Sequence, residues 1–362
     1  MKNPIVALFP YLDIVTPNLM EAESILNHSL TSYQDIEAGA HAMLALGAKS
    51  VLLKGDHVKD GLFSQDYWTN GHESFWLASL RLPHKNYREK ECTLSSAIEA
   101  CLALGYSIKD AIVIATMFVN RGNRLNQHTA TLFQGGFPED EIDLPYCSPK
   151  PLLTIPAPFK QCPIGLYPIV DSSDWVERLL PQGVKCIQLR IKNMSQVRLE
   201  EEIKRSIFLA KKYGATLFIN DYWELAIRFG AEGIHLGQED LEEADIEQIH
   251  SSGLYLGVST YCYYEVAAAH AINPSYIACG PIYPTTSKVM SYQPQGIEQL
   301  QRWRRTLHYP LVAIGGINFD RLPEILKAGV DGVSLISAIT KADNPLTTTQ
   351  QFLTQMKALS DA

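Results

Sequence analysis

From about residue 165 onward the chain repeats one pattern, a short apolar run followed by a helical stretch, eight times in about 175 residues. The runs fall at 166–171, 186–191, 216–221, 233–237, 255–260, 276–282, 311–317 and 332–337. Most are continuously apolar rather than alternating, as expected of parallel strands buried on both faces. Between them, stretches such as 196–213 keep Leu199, Ile203, Ile207 and Ala210 on one face of a helix. Eight β-then-α units imply an α/β protein built on a (β/α)8 TIM barrel. A doubly wound open sheet is the competing architecture. Eight repeats without a Gly-x-Gly-x-x-Gly turn count against it.

The chain of 362 residues is long enough for two domains. Upstream of the repeats, the stretch from about Gly122 to Gly165 carries Gly135-Gly136 and seven prolines from Pro138 to Pro163. Repeated proline forbids long helices and central strands, so 126–163 reads as an extended linker between a unit at 1–125 and a barrel at 164–362. The upstream unit is mixed. Asn18 stands as an N-cap with Glu21 three residues on, before a helix at 19–26. Further helices are expected at 37–46, 93–104 and 109–120, and a buried strand at 50–54. Asn70-Gly71 signals a hairpin between 62–69 and 74–82.

Composition removes several classes. With 31 Lys+Arg against 39 Asp+Glu the net charge is −8, which argues against a generic nucleic-acid binder. No run approaches the roughly 18 apolar residues of a membrane span. The apolar N-terminus is broken by Pro10 and Asp13 and lacks a small-residue cleavage site. Seven scattered cysteines with no Cys-x-x-Cys pair suggest reduced thiols and a cytoplasmic location, with neither a disulfide framework nor a zinc site.

In such a barrel the chemistry lies at the carboxyl ends of the strands. The second run ends in Gln188-Leu189-Arg190-Ile191-Lys192, the third in Asn220-Asp221, and the fourth passes through His235 to Gln238-Glu239-Asp240. The fifth ends at Ser259-Thr260, and the sixth leads through Gly280-Pro281 to Thr285-Thr286-Ser287-Lys288. The last two end in Gly315-Gly316 and Ile336-Ser337. Arg190, Lys192 and Lys288 are expected to converge without local ion pairing. Asp221 and Asp240 are oxygen ligands of the kind Mg²⁺ prefers, one or two carboxylates beside substrate phosphates. Gly315-Gly316 and Ser337 suit a phosphate cradle at the seventh and eighth loops. Two carboxylates, three cations and a separate cradle suggest one phosphorylated substrate and one polyphosphate leaving group. Each group also has a bland role: Asp221 and Asp240 as helix N-caps, Arg190 and Lys192 as solvated rim charges, the glycines as turns, His235 as a packed strand residue. Their joint placement at successive strand ends favours a site.

Those same motifs resemble thiamine-phosphate synthase: Gln188-Leu189-Arg190-x-Lys192, Asn220-Asp221, His235-Leu236-Gly237-Gln238-x-Asp240, Gly280-Pro281-Ile282-x-Pro284-Thr285-Thr286-Ser287-Lys288, Ile314-Gly315-Gly316 and Ile336-Ser337, in order over about 164–345. The resemblance implies condensation of a hydroxymethylpyrimidine diphosphate with a thiazole phosphate, giving thiamine phosphate and pyrophosphate. It implies that Gln188, Arg190, Lys192, Asn220, Ser259 and Lys288 hold the pyrimidine diphosphate, with Leu189 and Ile191 in the same binding stretch. Asp221 and Asp240 bind Mg²⁺, and Thr285, Thr286, Ser287, Gly316, Ile336 and Ser337 hold the thiazole phosphate. Arg190, Lys192 and Lys288 are then the catalytic cations. Ser287 replaces a Thr, Tyr222 an Arg and Tyr261 a His of the usual pattern.

The upstream unit is similar to the C-terminal half of hydroxymethylpyrimidine phosphate kinase, a ribokinase-like fold. The likeness rests on Ile14-Val15-Thr16-Pro17-Asn18, Val51-Leu52-Leu53-Lys54-Gly55 and Cys92-Thr93-Leu94-Ser95-Ser96-Ala97-Ile98. The family's Gly-Thr-Gly-Cys anion hole reads Glu89-Lys90-Glu91-Cys92 here, and its first half is absent. Two acidic side chains where ATP phosphate would sit imply a unit without kinase activity. Small-molecule substrates are expected, with no nucleic acid or membrane, and a homo-oligomer remains open. Competing functions are a thiazole tautomerase on the same barrel, which does not need the diphosphate-binding groups, and a non-enzymatic binding or regulatory protein.

Overall fold

The computed structural model describes residues 4–55, 61–81, 87–125, 135–285 and 293–360. The chain divides into two units, one of Met1–Pro156 with Cys262–Ala271, the other of Ala157–Tyr261 with Ile272–Ala362. Among the described residues no helix is long and apolar enough to cross a membrane.

The first unit is built on an antiparallel sheet in the order β1 (Val51–Lys54), β2 (Phe63–Thr69), β3 (Ser74–Leu80), β4 (Tyr146–Ser148). The β2–β3 register ends at Thr69↔Ser74, and Asn70 Oδ1 accepts the His72 and Glu73 N–H groups to turn the chain at Gly71, where φ is +89°. The Asn18–Glu21 capping box starts helix Leu19–Leu26. A second box, Ser32 with Asp35, starts helix Tyr33–Ala45 ahead of the expected 37–46. Its buried Ile36, Ala40 and Met43 belong to one apolar cluster with Val51, Leu53, Tyr67 and Trp76. The later helices, Tyr87–Ala103 and Ile108–Leu125, are longer than expected, and the first of them runs through Glu89, Lys90, Glu91 and Cys92.

The stretch read as a linker is in part a structural piece of this unit. β4 pairs with β3 through Trp76↔Ser148 and Ala78↔Tyr146. Ahead of it, Arg124 grips the buried Asp143 carboxylate with bonds of 2.9 and 2.6 Å, while Asn120 donates to the Asp143 carbonyl. Pro145 and Pro149 flank a three-residue strand at the edge of the sheet, where a missing N–H costs no ladder bond.

The second unit is a closed parallel barrel of β5 (Gly165–Val170), β6 (Cys186–Leu189), β7 (Thr216–Asn220), β8 (Gly233–Leu236), β9 (Tyr255–Thr260), β10 (Tyr276–Cys279), β11 (Leu311–Ile314) and β12 (Gly332–Leu335). The open-sheet alternative is thereby excluded. Three rings fill its interior: Tyr167 of β5, Phe218 of β7 and Tyr276 of β10, with centroids 5.3–5.8 Å apart and edge-to-face. Glycines on neighbouring strands make the room. A Cβ at Gly233 would stand 2.5 Å from the Phe218 ring, and one at Gly257 would stand 2.1 Å from Tyr276 Cζ. Large and small residues on adjacent strands thus interlock into a packed floor beneath the mouth.

Candidate active site

The carboxyl ends of β6 to β9 carry the polar groups that the sequence singles out. Lys192 follows β6 and Asp221 follows β7, and the Lys192 ammonium lies 2.7 Å from Asp221 Oδ2. The expectation of cations free of local pairing therefore fails for Lys192. The reason is backbone geometry: Asp221 is held at φ +68°, its N–H donating to the His235 carbonyl at 3.0 Å. Asp221 is also no helix cap, since Tyr222 occupies the N-cap position of helix Trp223–Phe229. Asp240 sits in the first turn of helix Gln238–Glu243. Burial, and then the neighbouring Asp221 carboxylate, push the Asp240 pKa up, against the pull of Lys192 and the Gly237 N–H.

Arg190 is half-buried. Its N–H donates to the Val170 carbonyl at 2.7 Å, and among the described residues its guanidinium has no partner. Leu189 and Ile191 are buried on either side of it. Tyr222, in the place of the family's Arg, reaches the Ile191 carbonyl at 3.4 Å, and Tyr261 donates to the Gln293 carbonyl at 3.0 Å. Asn220 is buried at the end of β7.

Two site candidates, Gln188 and Ser259, are linked through the barrel floor. Gln188 Nε2 donates to Tyr167 Oη at 3.0 Å, and Tyr167 and Tyr276 share a 2.8 Å bond. Tyr276 Oη lies 2.7 Å from His235 Nδ1, and His235 Nε2 lies 2.8 Å from Ser259 Oγ. His235 is thus packed, stacked on the Tyr276 ring at 5.7 Å, but with both nitrogens engaged. Sequence reasoning missed Tyr167 and Tyr276. The available signal was a hydroxyl inside each of two otherwise apolar runs.

On the opposite arc, the glycines after β11 serve packing between loops. Gly315 and Gly316 have φ of +98° and +65°, and a Cβ on either would stand 2.5 Å from Pro281 Cβ or the Pro284 carbonyl respectively. The Ile282 and Tyr283 N–H groups bond the Ile314 and Gly315 carbonyls at 2.9 and 3.1 Å. Ile336 precedes the short helix Ser337–Thr340. Thr285 ends the described part of the sixth loop, and Thr286, Ser287 and Lys288 lie outside the described residues.

The donor set fits a magnesium ion. Asp221 and Asp240 bring two carboxylates against each other, and one or two is the number that Mg²⁺ ordinarily takes from protein, the rest coming from phosphate and water. Among the described residues no group of three or more His, Cys, Asp or Glu gathers to hold a metal ion, so any such ion would take most of its ligands from phosphate and water.

A closed parallel barrel with a lysine and two neighbouring carboxylates at the carboxyl ends of its strands has the form of a TIM-barrel enzyme. Residues 166–339 match the thiamine monophosphate synthase family, and residues 2–135 match phosphomethylpyrimidine kinase. The thiamine-phosphate synthase of Photorhabdus laumondii is 52% identical over 191 residues, which cover 52% of this chain and 88% of that one. That of Enterobacter sp. is 51% identical over 199 residues, covering 55% and 93%. Among solved structures, thiamine phosphate pyrophosphorylase from Pyrococcus furiosus is 32% identical with a TM-score of 0.49, covering 54% of this chain and 96% of that one. A Staphylococcus aureus pyridoxal kinase is 31% identical with a TM-score of 0.31 over 32% of this chain, which spans 43% of that kinase. The chain belongs to the thiamine-phosphate synthase family, its barrel being the transferase of thiamine phosphate synthesis.

Proposed function

We propose that the barrel joins a hydroxymethylpyrimidine diphosphate to a thiazole phosphate. The bond between the pyrimidine methylene carbon and the diphosphate oxygen breaks, its electron pair leaving with pyrophosphate. The thiazole nitrogen lone pair then forms the new C–N bond, so thiamine phosphate results without a covalent enzyme intermediate. The residues' task is to stabilise charge growing on the leaving group. Arg190, Lys192 and Lys288 supply cations to the diphosphate, and Gln188, Asn220 and Ser259 supply neutral hydrogen bonds on the pyrimidine side. Asp221 and Asp240 would hold magnesium, which when bound supplies charge neutralisation to the diphosphate oxygens. Thr285, Thr286, Ser287, Gly316, Ile336 and Ser337 serve the thiazole phosphate. The observation that supports this reading is the meeting of Lys192, Asp221 and Asp240 at the carboxyl ends of β6 to β8, with Arg190, two residues before Lys192, having no side-chain partner among the described residues.

A tautomerase on the same barrel needs neither the carboxylate pair nor the diphosphate cations, so that arrangement favours the synthase. The first unit is read as without kinase activity. In support, helix Tyr87–Ala103 runs through the anion-hole position, where N–H groups beyond the first turn are taken by carbonyls one turn back. The match to phosphomethylpyrimidine kinase favours the opposite reading, in which the unit phosphorylates the pyrimidine phosphate. The seven cysteines are free thiols, in keeping with a reducing cytoplasm.

Incubation of the full chain with both phosphorylated substrates and Mg²⁺ tests the synthase. Thiamine phosphate and pyrophosphate in equal amounts are expected, and substrate binding without pyrophosphate release would overturn it. ATP with the pyrimidine monophosphate tests the first unit: no diphosphate is expected, and its ATP-dependent appearance would establish the kinase.

A further inference from the structure

The bonds through the barrel floor form one continuous series from Gln188 to Ser259. Gln188 Nε2 carries only donors, so Tyr167 Oη accepts there and its own proton is free for Tyr276. Burial raises both phenols well above their ordinary range, so each stays protonated and has one proton to give. With Tyr167 donating to Tyr276, the Tyr276 proton is left for His235 Nδ1; the reverse order, in which Tyr276 donates to Tyr167 and His235 Nδ1–H donates to Tyr276, is the alternative that the histidine tautomer separates. A neutral imidazole accepting at Nδ1 carries its hydrogen on Nε2, and that hydrogen goes to Ser259 Oγ. The Ser259 hydroxyl, having accepted, keeps its own proton for something else. Its main chain is held as well, the Gln238 amide donating to the Ser259 carbonyl at 2.6 Å.

We propose that Gln188, Tyr167, Tyr276 and His235 form a one-way hydrogen-bond chain that fixes Ser259 as a hydrogen-bond donor toward an acceptor atom of the pyrimidine diphosphate. His235, Tyr276 and Tyr167 are then positioning residues that act through Ser259, and none need touch substrate. Gln188 opens the chain at β6 and Ser259 closes it at β9, and the tautomer of His235 reports the direction of the protons between them. The inference rests on the proposed placement of Ser259 on the pyrimidine side of the site.

A double-mutant cycle on the full chain separates the two. Ser259→Ala is expected to raise KM for the pyrimidine diphosphate about tenfold, the worth of one hydrogen bond to a polar ligand, and to leave KM for the thiazole phosphate within about twofold. Tyr276→Phe keeps the ring over Gly257 and removes only the hydroxyl. It should reproduce most of that rise alone and add nothing in the Ser259→Ala background. Tyr167→Phe serves as the second variant should Tyr276→Phe fold poorly. In wild-type protein labelled with ¹⁵N-histidine, the His235 signal, assigned by its loss in His235→Gln, should be that of the Nε2–H tautomer. An unchanged pyrimidine KM in Ser259→Ala would remove Ser259 from the substrate site and the premise with it. A Ser259 effect joined by no Tyr276 effect, by additive effects, or by an Nδ1–H tautomer would overturn the chain while leaving the site intact.

Discussion

Replacing Gly257 by alanine tests whether the barrel floor is as closely fitted as its glycines require. The new Cβ would stand 2.1 Å from Tyr276 Cζ and 2.3 Å from its oxygen, so the ring must retreat by about 1.3 Å to reach ordinary van der Waals contact. The ring is fully buried and hemmed by Tyr167 and Phe218, which leaves it little room to turn. A retreat of that size stretches the 2.8 Å bond to Tyr167 and the 2.7 Å bond to His235 beyond hydrogen-bond range. Overpacking a filled core costs about 1–3 kcal/mol. The two lost bonds add about 1 kcal/mol each, and the stiffer unfolded chain returns up to about 1 kcal/mol. A net destabilisation of about 2–5 kcal/mol follows. Hydrogen exchange of the β9 and β10 amides, resolved by mass spectrometry, reads it locally as faster opening. The same variant should raise KM for the pyrimidine diphosphate, because the chain to Ser259 is broken. Gly257→Ala with Tyr276→Leu makes room for the methyl group and should recover exchange protection without recovering KM. Wild-type exchange in Gly257→Ala would refute the fitted floor.

The other expectations are independent of that floor. Arg190→Ala should lower kcat by about 10²–10³ by removing one charge-stabilising group; a rate within threefold of wild type in steady-state assay would remove Arg190 from the mechanism. Arg124→Met strands the buried Asp143 carboxylate and should destabilise the first unit by about 3–5 kcal/mol. Limited proteolysis near β4 checks it, and Arg124→Met with Asp143→Leu should restore resistance. His270 has its pKa pushed down to about 4 by burial, so below pH 6.5 the unfolded chain takes up a proton that the folded one refuses. Stability should therefore fall by about 3 kcal/mol from pH 6.5 to 4, and denaturant titrations of His270→Phe should show a flatter profile. Ser334→Ala removes a buried hydroxyl without a partner among the described residues and should raise the melting temperature, the gain being about 1 kcal/mol; a lowered one would disclose a bond to that oxygen.

The barrel was legible because its strands are buried on both faces and so stand out as unbroken apolar runs, each closed by polar residues at one end. That same uniformity hid the floor. With no alternation to mark inward from outward, Tyr167 and Tyr276 read as ordinary core aromatics, and only the register that aligns Ser334 with Tyr167 and Gly257 with Tyr276 turns them toward the axis. β4 was illegible for a different reason. Three residues between prolines have no strand signal of their own, and they pair because β3 offers a free edge. Nor could chain order show that Cys262–Ala271, which follows β9, groups with the first unit.

The candidate site divides along the same line. Residue types at strand ends point to phosphate and magnesium chemistry through their joint placement, since Arg190, Asp221 and Asp240 each have an ordinary role when taken alone. What they do to one another depends on backbone angles that no spacing encodes. The left-handed turn at Asp221 brings one carboxylate under Lys192 and against Asp240, so the cation read as free is half of an ion pair. The glycines after β11 suit a phosphate cradle by type, but each is first required by the loop after β10, which leaves no space for a Cβ. Both cases follow one rule. A mouth assembled from eight separate loops must first satisfy its own backbone and charges, and the groups proposed to meet substrate are sought among those that this leaves over: the Arg190 guanidinium, which has no partner among the described residues, and the hydroxyl proton proposed for Ser259.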